Sequence, residues 1–327
     1  MLKSFLQTKM WEEFRNSLGQ KTFWIDGKLT IKMPLVLGQS YLYCPRANFN
    51  SMQEVADFCK KAKQTAKDEG IFFLRVEPEI LDPSIDIDKL DCKKVHPRQP
   101  GQTLMIDLNN SLAQILDNAK QKTRYNIRLA QKKGIVINKE TSQKAVEIFY
   151  QLAEETAQRD KIKFHDKYYY QKFIEVLGKG DMANVFIAYH EDKPLAAAIT
   201  AKYGKTFYYL HGASTNEYRQ LMAPYLLQWQ MITEAKNEGY KWYDFWGTAP
   251  LKQEITNAKL QNTNKTQISN NKYKIKNEEH AWAGITRFKL GFAPTETTGK
   301  YIKYPGCFEL SYGKKRYFLY SMFKKVM

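Results

Sequence analysis

An internal repeat constrains the fold of this 327-residue chain more than any other feature of its sequence. The segment AKDEG at 66–70 is followed by IFFLRVEP, and AKNEG at 235–239 is followed by YKWYDFWG. In both copies a helical pattern runs up to the glycine, which suits a left-handed helix stop. A strand rich in aromatic and β-branched residues follows each glycine. Two copies of this arrangement indicate a duplication, and therefore two units of similar fold.

Hydrophobic periodicity predicts the elements around the repeat. In the first half the pattern is strand, helix, strand, and then a helix over 111–133 that follows two good capping residues, Asn109 and Asn110, and ends at Gly134. The whole is predicted to be α+β, or mixed α/β, in two similar units. In the second half we predict helices over 143–158, 167–177 and 224–237, strands over 183–189, 195–202, 206–212 and 241–246, and a turn over 191–194.

Residues 251–280 differ from the rest of the chain. They are rich in Asn, Lys, Thr and Gln and have weak hydrophobic periodicity. Such a composition is typical of a flexible surface insertion. A basic flap that covers a nucleic-acid partner is the alternative.

Charge gives the first indication of function. Lys and Arg number 51 against 34 Asp and Glu, for a net charge of +17. A strongly basic surface favours polyanionic partners such as nucleic acid, phosphates or an anionic membrane face. A genome rich in lysine codons would give the same excess, so charge by itself decides little.

Several classes of protein are not indicated. No apolar run approaches the ~18 residues that a membrane-spanning helix needs, and 1–11 has neither an apolar core nor a small-residue cleavage site. We therefore expect a cytoplasmic protein. The four cysteines form no CxxC pair and the five histidines form no HExxH motif, so neither a disulfide framework nor a metal site is predicted.

Four segments in order resemble the FemABX family. They are YLYCPRANF at 41–49, RQPGQTLMIDL at 98–108, KTRYNIRLAQKKG at 122–134 and HAWAGITRFKLGF at 280–292. The segment YGKKRYFLY at 312–320 is similar to the closing segment of that family. Together they cover most of the chain, and their common order is far more specific than any one of them.

The resemblance implies two tandem GNAT-like acyltransferase domains, with the second inserted into the first. We accordingly expect one domain over 1–142 plus 303–327 and the other over 143–302. The polar 251–280 segment has no heptads, so the chain resembles the short members of the family that lack a helical arm.

The resemblance also implies an activity: transfer of an amino acid from aminoacyl-tRNA to the stem peptide of a peptidoglycan precursor, either UDP-MurNAc-pentapeptide or lipid II, in cell-wall biogenesis. Ester aminolysis needs orientation, removal of the amine proton and stabilisation of an oxyanion. It needs no covalent enzyme intermediate, so it suits a sequence without an evident nucleophile–base pair.

Three residues are candidates for the catalytic site by this resemblance. Lys289, beside Phe288, matches a Phe-Lys pair that lies near the reacting end of the tRNA, where an ammonium could stabilise an oxyanion or hold phosphates. Asp107 matches a position at the acceptor cleft and could accept a hydrogen bond or assist amine deprotonation. The structural alternatives are a surface lysine for Lys289 and a helix-start residue for Asp107.

Lys32, Arg46 and Arg219 are candidates for binding the diphosphate of the precursor. Arginine suits bidentate phosphate contacts and lysine a point charge. Lys28 or Arg46 could take the place of Lys32, and an ordinary exposed basic residue is the alternative for each of them.

Two residues of the YDFWG segment are further candidates for substrate binding. Tyr243, with Trp246, could line the cleft, although aromatic residues at strand spacing more often belong to a core. Asp244 points to the other face of the strand and could bind an acceptor amine or pair with a lysine.

A basic stripe on the helix that follows Asn110 is the candidate tRNA contact. Residues spaced by four lie on one helix face, and such a stripe can follow a phosphate backbone without contacting bases. A solvated face is the alternative, and Ile127 and Leu129 are expected to face the core. The stripe consists of Lys120, Arg124, Arg128 and Lys132.

Rival functions remain at this point. An acetyltransferase would need a glycine-containing pyrophosphate loop before a helix, and the closest match, 218–224, contains no glycine. A transferase with a protein or lipid acceptor, or a non-catalytic RNA- or precursor-binding protein, is also compatible with the sequence. We expect a monomer that uses aminoacyl-tRNA as co-substrate, needs no other cofactor, and in the lipid II case contacts the inner membrane face.

Overall fold

The computed structural model of the protein describes residues 4–254 and 272–313, together with residues 316, 317 and 320. No helix in these ranges is both long and apolar enough to cross a bilayer. In chain order the elements are α1 (Lys9–Ser17), β1 (Thr22–Ile25), β2 (Lys28–Pro34), β3 (Ser40–Phe49), α2 (Met52–Asp68), β4 (Phe73–Leu81), β5 (Cys92–Val95), β6 (Gln102–Asp107), α3 (Leu112–Asn118), α4 (Gln121–Lys132), β7 (Ile135–Glu140), α5 (Gln143–Asp160), α6 (Lys167–Leu177), β8 (Ala183–His190), β9 (Lys193–Tyr203), β10 (Thr206–Ser214), α7 (Ala223–Asn237), β11 (Trp242–Gly247), β12 (Leu251–Glu254), β13 (Lys272–Ile275), α8 (Ala283–Phe292), β14 (Lys300–Lys303) and β15 (Cys307–Ser311).

The chain forms two compact units, 1–101 with 304–327 and 102–303. The second unit is inserted into the first, as expected, but it begins at 102 and not at 143. The reason is strand pairing: β6 pairs with β11 and β7 pairs with β8, so the segment before α5 belongs to the second sheet. The second boundary, at 303/304, lies one residue from the expected position.

The first unit is built on a six-stranded sheet in the order β1-β2-β3-β4-β15-β5. β3 and β4 are parallel, from Leu42↔Leu74 to Phe49↔Leu81, and α2 is the crossover helix that joins them. α2 buries Phe58 against Leu74 and their apolar neighbours. β15 brings the end of the chain into this sheet beside β4.

The second unit is built on a seven-stranded sheet in the order β14-β6-β11-β10-β9-β8-β7. β10 and β11 are parallel, and α7 is their crossover. Phe207, Tyr243 and Phe245 from the two strands pack with Met231 and Ile232 of α7 in the core of this unit. A crossover helix over a parallel pair is thus common to both units.

The repeat in the sequence corresponds to this common element. Gly70 (φ +67°) and Gly239 (φ +82°) end α2 and α7 in the left-handed conformation, and β4 and β11 follow. The prediction of two helix–glycine–strand copies is therefore confirmed, and each copy forms half of a parallel strand pair.

The helix predicted over 111–133 is instead two helices, α3 and α4. Ser111 and Gln114 form a reciprocal capping box at the start of α3, so Ser111 caps the helix and the asparagines before it do not. The break has a tertiary cause: the Lys120 N–H donates to the Gly291 carbonyl at 2.8 Å. The Arg124 guanidinium in turn donates to carbonyls at the end of α3.

Most elements predicted for the second half are present within a few residues, and α6 has the predicted bounds. At the N-terminus, α1 was not predicted; the Thr8 hydroxyl caps it by accepting from the Trp11 N–H at 3.1 Å. The 251–280 segment is not an uninterrupted loop, because β12 and β13 pair as an antiparallel ribbon. Residues 255–271, on which the predicted flexible insertion or flap centres, lie outside the described residues.

Candidate functional site

The parallel pair of the second unit opens part-way along its length. β10 and β11 pair from Thr206↔Trp242 to Tyr208↔Asp244 only. Beyond that point β10 continues on β9 and β11 continues on β6, each with a register shift just after the last parallel pair. The two strands therefore separate, and the backbone groups that would have joined them face a gap. In the first unit the corresponding pair stays joined to the ends of β3 and β4.

Lys289 lies at this gap. It is on α8 and only 5% exposed. Its Nζ donates to the Gly247 carbonyl of β11 at 2.5 Å and lies 5.7 Å from the ring centroid of Tyr209 on β10. The ammonium thus stands between the separated strands. Burial lowers the pKa of Lys289 to about 7, against the opposing effect of the Asp244 charge.

Asp244 shapes the β11 side of the gap. Its Oδ1 accepts from the Trp246 N–H at 2.7 Å and from the Thr103 hydroxyl of β6. Trp246 has φ +59°, a left-handed conformation that is costly for a residue of this size. The carboxylate therefore supports the turn that directs the Gly247 carbonyl toward Lys289.

His211 of β10 carries a neutral imidazole. Burial, together with the charges of His165 and Lys289, lowers the pKa of His211 to about 3. The Tyr170 hydroxyl lies 3.5 Å from His211 Nδ1, and His165 stacks on Tyr169 with 3.8 Å between ring centroids. Sequence analysis missed these residues. The sequence contains a histidine in FHDKYYY and another in the later strand β10. No rule of residue spacing predicts that these two histidines lie close together.

The predicted catalytic residues do not all meet at this gap. Phe288 packs against Tyr225 and Phe292, with ring centroids 5.1 and 5.4 Å away, at the surface of the core. Asp107 ends β6 opposite Trp242, at the other end of β11 from Gly247. Its Oδ1 accepts from the N–H and the side-chain amide of Asn109, as in an Asx turn. Its role in the reaction stays a prediction.

Of the two substrate candidates on β11, the structure brings only Asp244 to the gap. Tyr243 is fully buried, and its hydroxyl pairs with the side chain of Gln228. Tyr243 therefore belongs to the core, which is the alternative that its spacing in the strand indicated.

The phosphate candidates are distributed over both units. In the first unit, Lys32 is half-buried and ion-paired with Glu69 at 3.0 Å. Arg46 is buried with φ +51°; it donates to the Pro100 carbonyl at 2.6 Å and stacks on Tyr304, 3.4 Å from the ring centroid. These internal contacts place Arg46 as a support of the local fold.

Arg219 belongs to the second unit and is exposed in a 3₁₀ turn directly before α7. Tyr218 and Met222 flank this turn with φ of +54° and +55°. The N–H groups of Leu221, Met222 and Tyr225 already donate to carbonyls within the segment, and Pro224 has no N–H. Few amides here remain to bind a pyrophosphate.

The basic stripe lies on α4 as predicted, with Ile127 buried behind it. Lys120, Arg128 and Lys132 are exposed, and Lys120 is the N-cap residue of the helix. Arg124 is half-buried and donates to the carbonyls of Asp117 and Ala119, at 2.8 and 2.5 Å. Three of the four side chains are therefore available to a polyanion.

A sheet whose parallel pair separates around a polar site is the arrangement of an acyltransferase of the GNAT class. The family model described as "Acetyltransferase (GNAT) domain" matches residues 117–253, within the second unit. The chain is also similar over its full length to a solved structure described as "Crystal structure of FemX", with a TM-score of 0.75 and 17% identity, covering 97% of this chain and 94% of that one.

Two curated relatives agree with this class. The lipid II:glycine glycyltransferase of Staphylococcus epidermidis is 21% identical and covers 68% of this chain and 72% of its own. The UDP-N-acetylmuramoylpentapeptide-lysine N(6)-alanyltransferase of Weissella viridescens is 27% identical over 50% of this chain and 47% of its own. The protein is therefore an acyltransferase with a GNAT domain in its second unit, and it is similar to glycyl- and alanyltransferases of the Fem type.

The Asp244 charge should be detectable in the titration of Lys289. In Asp244→Asn the amide oxygen can still accept from Trp246, but the charge that favours the ammonium is gone, so the pKa of Lys289 should fall below about 7. An NMR titration of lysine Cε resonances would measure this shift. Asp181→Asn, which removes an acid that pairs with Lys202, is the matched control and should leave Lys289 unchanged. An unaltered titration in Asp244→Asn would show that the carboxylate acts only through its hydrogen bonds.

Proposed function

We propose that this protein transfers an amino acid from aminoacyl-tRNA to an amine on the stem peptide of a peptidoglycan precursor. The observation that carries the proposal is the buried Lys289 ammonium in the gap between β10 and β11. A cation fixed between separated strands can stabilise the oxyanion that forms when an amine attacks an ester carbonyl. The names of the two curated relatives, a glycyltransferase and an alanyltransferase, support an aminoacyl donor.

The reaction requires no covalent intermediate between the substrate and the protein. The acceptor amine attacks the acyl carbon, the tetrahedral oxyanion forms near Lys289, and the ribose oxygen departs. Orientation and electrostatic stabilisation contribute most of the acceleration in such a step. A pKa near 7 leaves Lys289 partly protonated at neutral pH, and a developing negative charge beside it favours the ammonium further.

A polyanionic donor is supported by charge. The net charge is +17, and Lys120, Arg128 and Lys132 project from one side of α4. Acetyl-CoA is less well supported, because the N–H groups before α7 that would hold a pyrophosphate are already used within the segment. Aminoacyl-tRNA is therefore the donor that we propose.

Mass spectrometry of the acceptor tests the reaction directly. The purified protein would be incubated with mixed charged tRNAs and either UDP-MurNAc-pentapeptide or lipid II, with acetyl-CoA as a competing donor. A gain of one amino-acid residue on either acceptor is expected, and it would identify both the amino acid and the acceptor. An acetyl gain would overturn the proposed donor. No gain, with charged tRNA shown to bind, would indicate a protein or lipid acceptor instead of a stem peptide.

The α4 contact should appear in the salt dependence of tRNA binding. Each phosphate contact that is lost lowers the slope of log affinity against log salt by about one unit. Arg128→Gln should therefore bind tRNA more weakly at low salt and with a shallower slope, as measured by fluorescence anisotropy. Lys60→Gln, which changes an exposed lysine of α2, is the control and should keep the wild-type slope. Equal slopes in all three proteins would mean that α4 faces solvent.

A further inference from the structure

Tyr209 is the first residue of β10 beyond the joined part of the parallel pair. A bulge follows it, since Tyr209 pairs with Thr200 and His211 with Ile199, which leaves Leu210 as the extra residue. The bulge puts Tyr209 and Gly212 on the same face of the strand. The Tyr209 hydroxyl lies directly over Gly212, where a Cβ atom would overlap it. Glycine at 212 therefore makes room for this hydroxyl.

The hydroxyl has no internal use that the structure reveals. Tyr209 is 8% exposed; its hydroxyl makes no hydrogen bond among the described residues, and it is not one of their fully buried unpaired polar atoms. The hydroxyl is therefore accessible enough to bond to a ligand that enters the gap. Other buried tyrosines of the unit have partners: Tyr243 pairs with Gln228, and Tyr273 donates to the Gly299 carbonyl at 3.1 Å.

The surroundings favour a proton donor. Burial raises the pKa of Tyr209, so the phenol is protonated at neutral pH. The Lys289 ammonium lies 5.7 Å from the centre of its ring, and thus both donors stand at the same gap, one from α8 and one from β10. Two donors on different sides of an ester can serve its two oxygens separately.

We propose that Tyr209 is a further catalytic residue, whose hydroxyl gives its proton to the ester oxygen that leaves, while Lys289 faces the carbonyl oxygen. This inference rests on the proposed function. The acceptor nitrogen bonds to the acyl carbon, and the bond from that carbon to the ribose oxygen breaks with its electron pair on oxygen. Tyr209 protonates this oxygen, and the proton that the nitrogen loses returns to the phenolate. No other reactant is required.

The leaving group provides the test. Tyr209→Phe keeps the ring and its packing but removes the proton. With a short acceptor-stem RNA that carries the amino acid as its natural ester, we expect kcat to fall about 10²–10³-fold with little change in KM for the donor. With the same RNA carrying a 3′-thioester, the variant should work at nearly the wild-type rate, because a thiolate leaves without protonation.

The controls separate this proposal from the function on which it rests. Tyr240→Phe removes a hydroxyl from a half-buried ring that packs on Phe207, and it should match wild type with both donors. Wild-type activity with the ester, together with an unaffected Tyr209→Phe, would overturn the role of Tyr209 alone. An equal loss with ester and thioester would show that Tyr209 acts only in packing. No wild-type transfer from the natural ester would contradict the proposed function itself.

Discussion

Replacing Lys289 with Met is expected to lower the rate of acyl transfer about 10²–10³-fold, the usual loss for one donor of an oxyanion site. Methionine fills a similar volume on α8, and the fold should survive. The Gly247 carbonyl loses its donor, but a buried charge is removed at the same time. Steady-state kinetics would measure the rate, and circular dichroism would confirm the fold. Arg287→Met, on the exposed side of the same helix, should retain wild-type activity.

The pH dependence gives this prediction a second readout. Only the ammonium form can stabilise an oxyanion, so the wild-type rate should fall as pH rises through about 7. Lys289→Met should lack this limb of the profile. A variant with full activity, or with the same alkaline limb as wild type, would remove Lys289 from the site.

The low pKa of Lys289 should also affect how the free energy of unfolding changes with pH. The folded pKa of Lys289, about 7, lies below its ordinary value of 10.5. Between these two pH values the unfolded chain binds more protons at this site than the folded chain. The wild-type free energy of unfolding therefore gains from a rise in pH across that window, and the Lys289→Met variant lacks this gain.

Replacing Arg75 with Met should destabilise the first unit by about 3–5 kcal/mol, the usual cost of removing one partner from a buried ion pair. Arg75 of β4 donates through Nε to Glu309 of β15 at 2.9 Å and through Nη2 to the same oxygen. Both side chains are almost fully buried. Without the guanidinium, the Glu309 carboxyl group would lie in a buried position without its cationic partner. Urea unfolding followed by circular dichroism would measure the change.

A double variant distinguishes the ion pair from simple packing. Arg75→Met with Glu309→Leu removes both charges, and replacing a buried pair with apolar residues is often neutral. The double variant should therefore be clearly more stable than Arg75→Met. If the two variants were equally unstable, the loss would come from the packing of Arg75 on the Tyr41 ring, 4.9 Å from the guanidinium, and not from the carboxylate left behind.

The sequence predicted the candidate site unevenly. Lys289 was predicted as a catalytic residue from a motif similar to one of the FemABX family, and its position at the gap between β10 and β11 supports that prediction. Arg46 is predicted as a phosphate ligand because it is a basic residue in a recognised motif, and in the structure its guanidinium contacts the Pro100 carbonyl and the Tyr304 ring. Tyr209 was not singled out at all. Its position depends on a bulge in β10, and the spacing of residue types in the sequence does not predict a bulge.

Local patterns determined what depends on neighbours along the chain. Several features depend only on backbone geometry or on residues a few positions apart. They are the helix and strand periods, the glycine stops at Gly70 and Gly239, the duplicated helix–glycine–strand element and the basic face of α4. These features established two similar α/β units, and a family resemblance supplied the rest of the expectation.

Tertiary structure alone decided three other features. The first unit boundary lies at 101/102 because β6 pairs with β11, which is distant in sequence. The helix predicted over 111–133 is broken because Lys120 bonds to Gly291. The gap exists because β10 and β11 follow different neighbours beyond Tyr208 and Asp244, and it is there that burial lowers the pKa of Lys289. Strand partners and burial depend on contacts between remote segments, and local sequence does not encode which remote segment will be the partner.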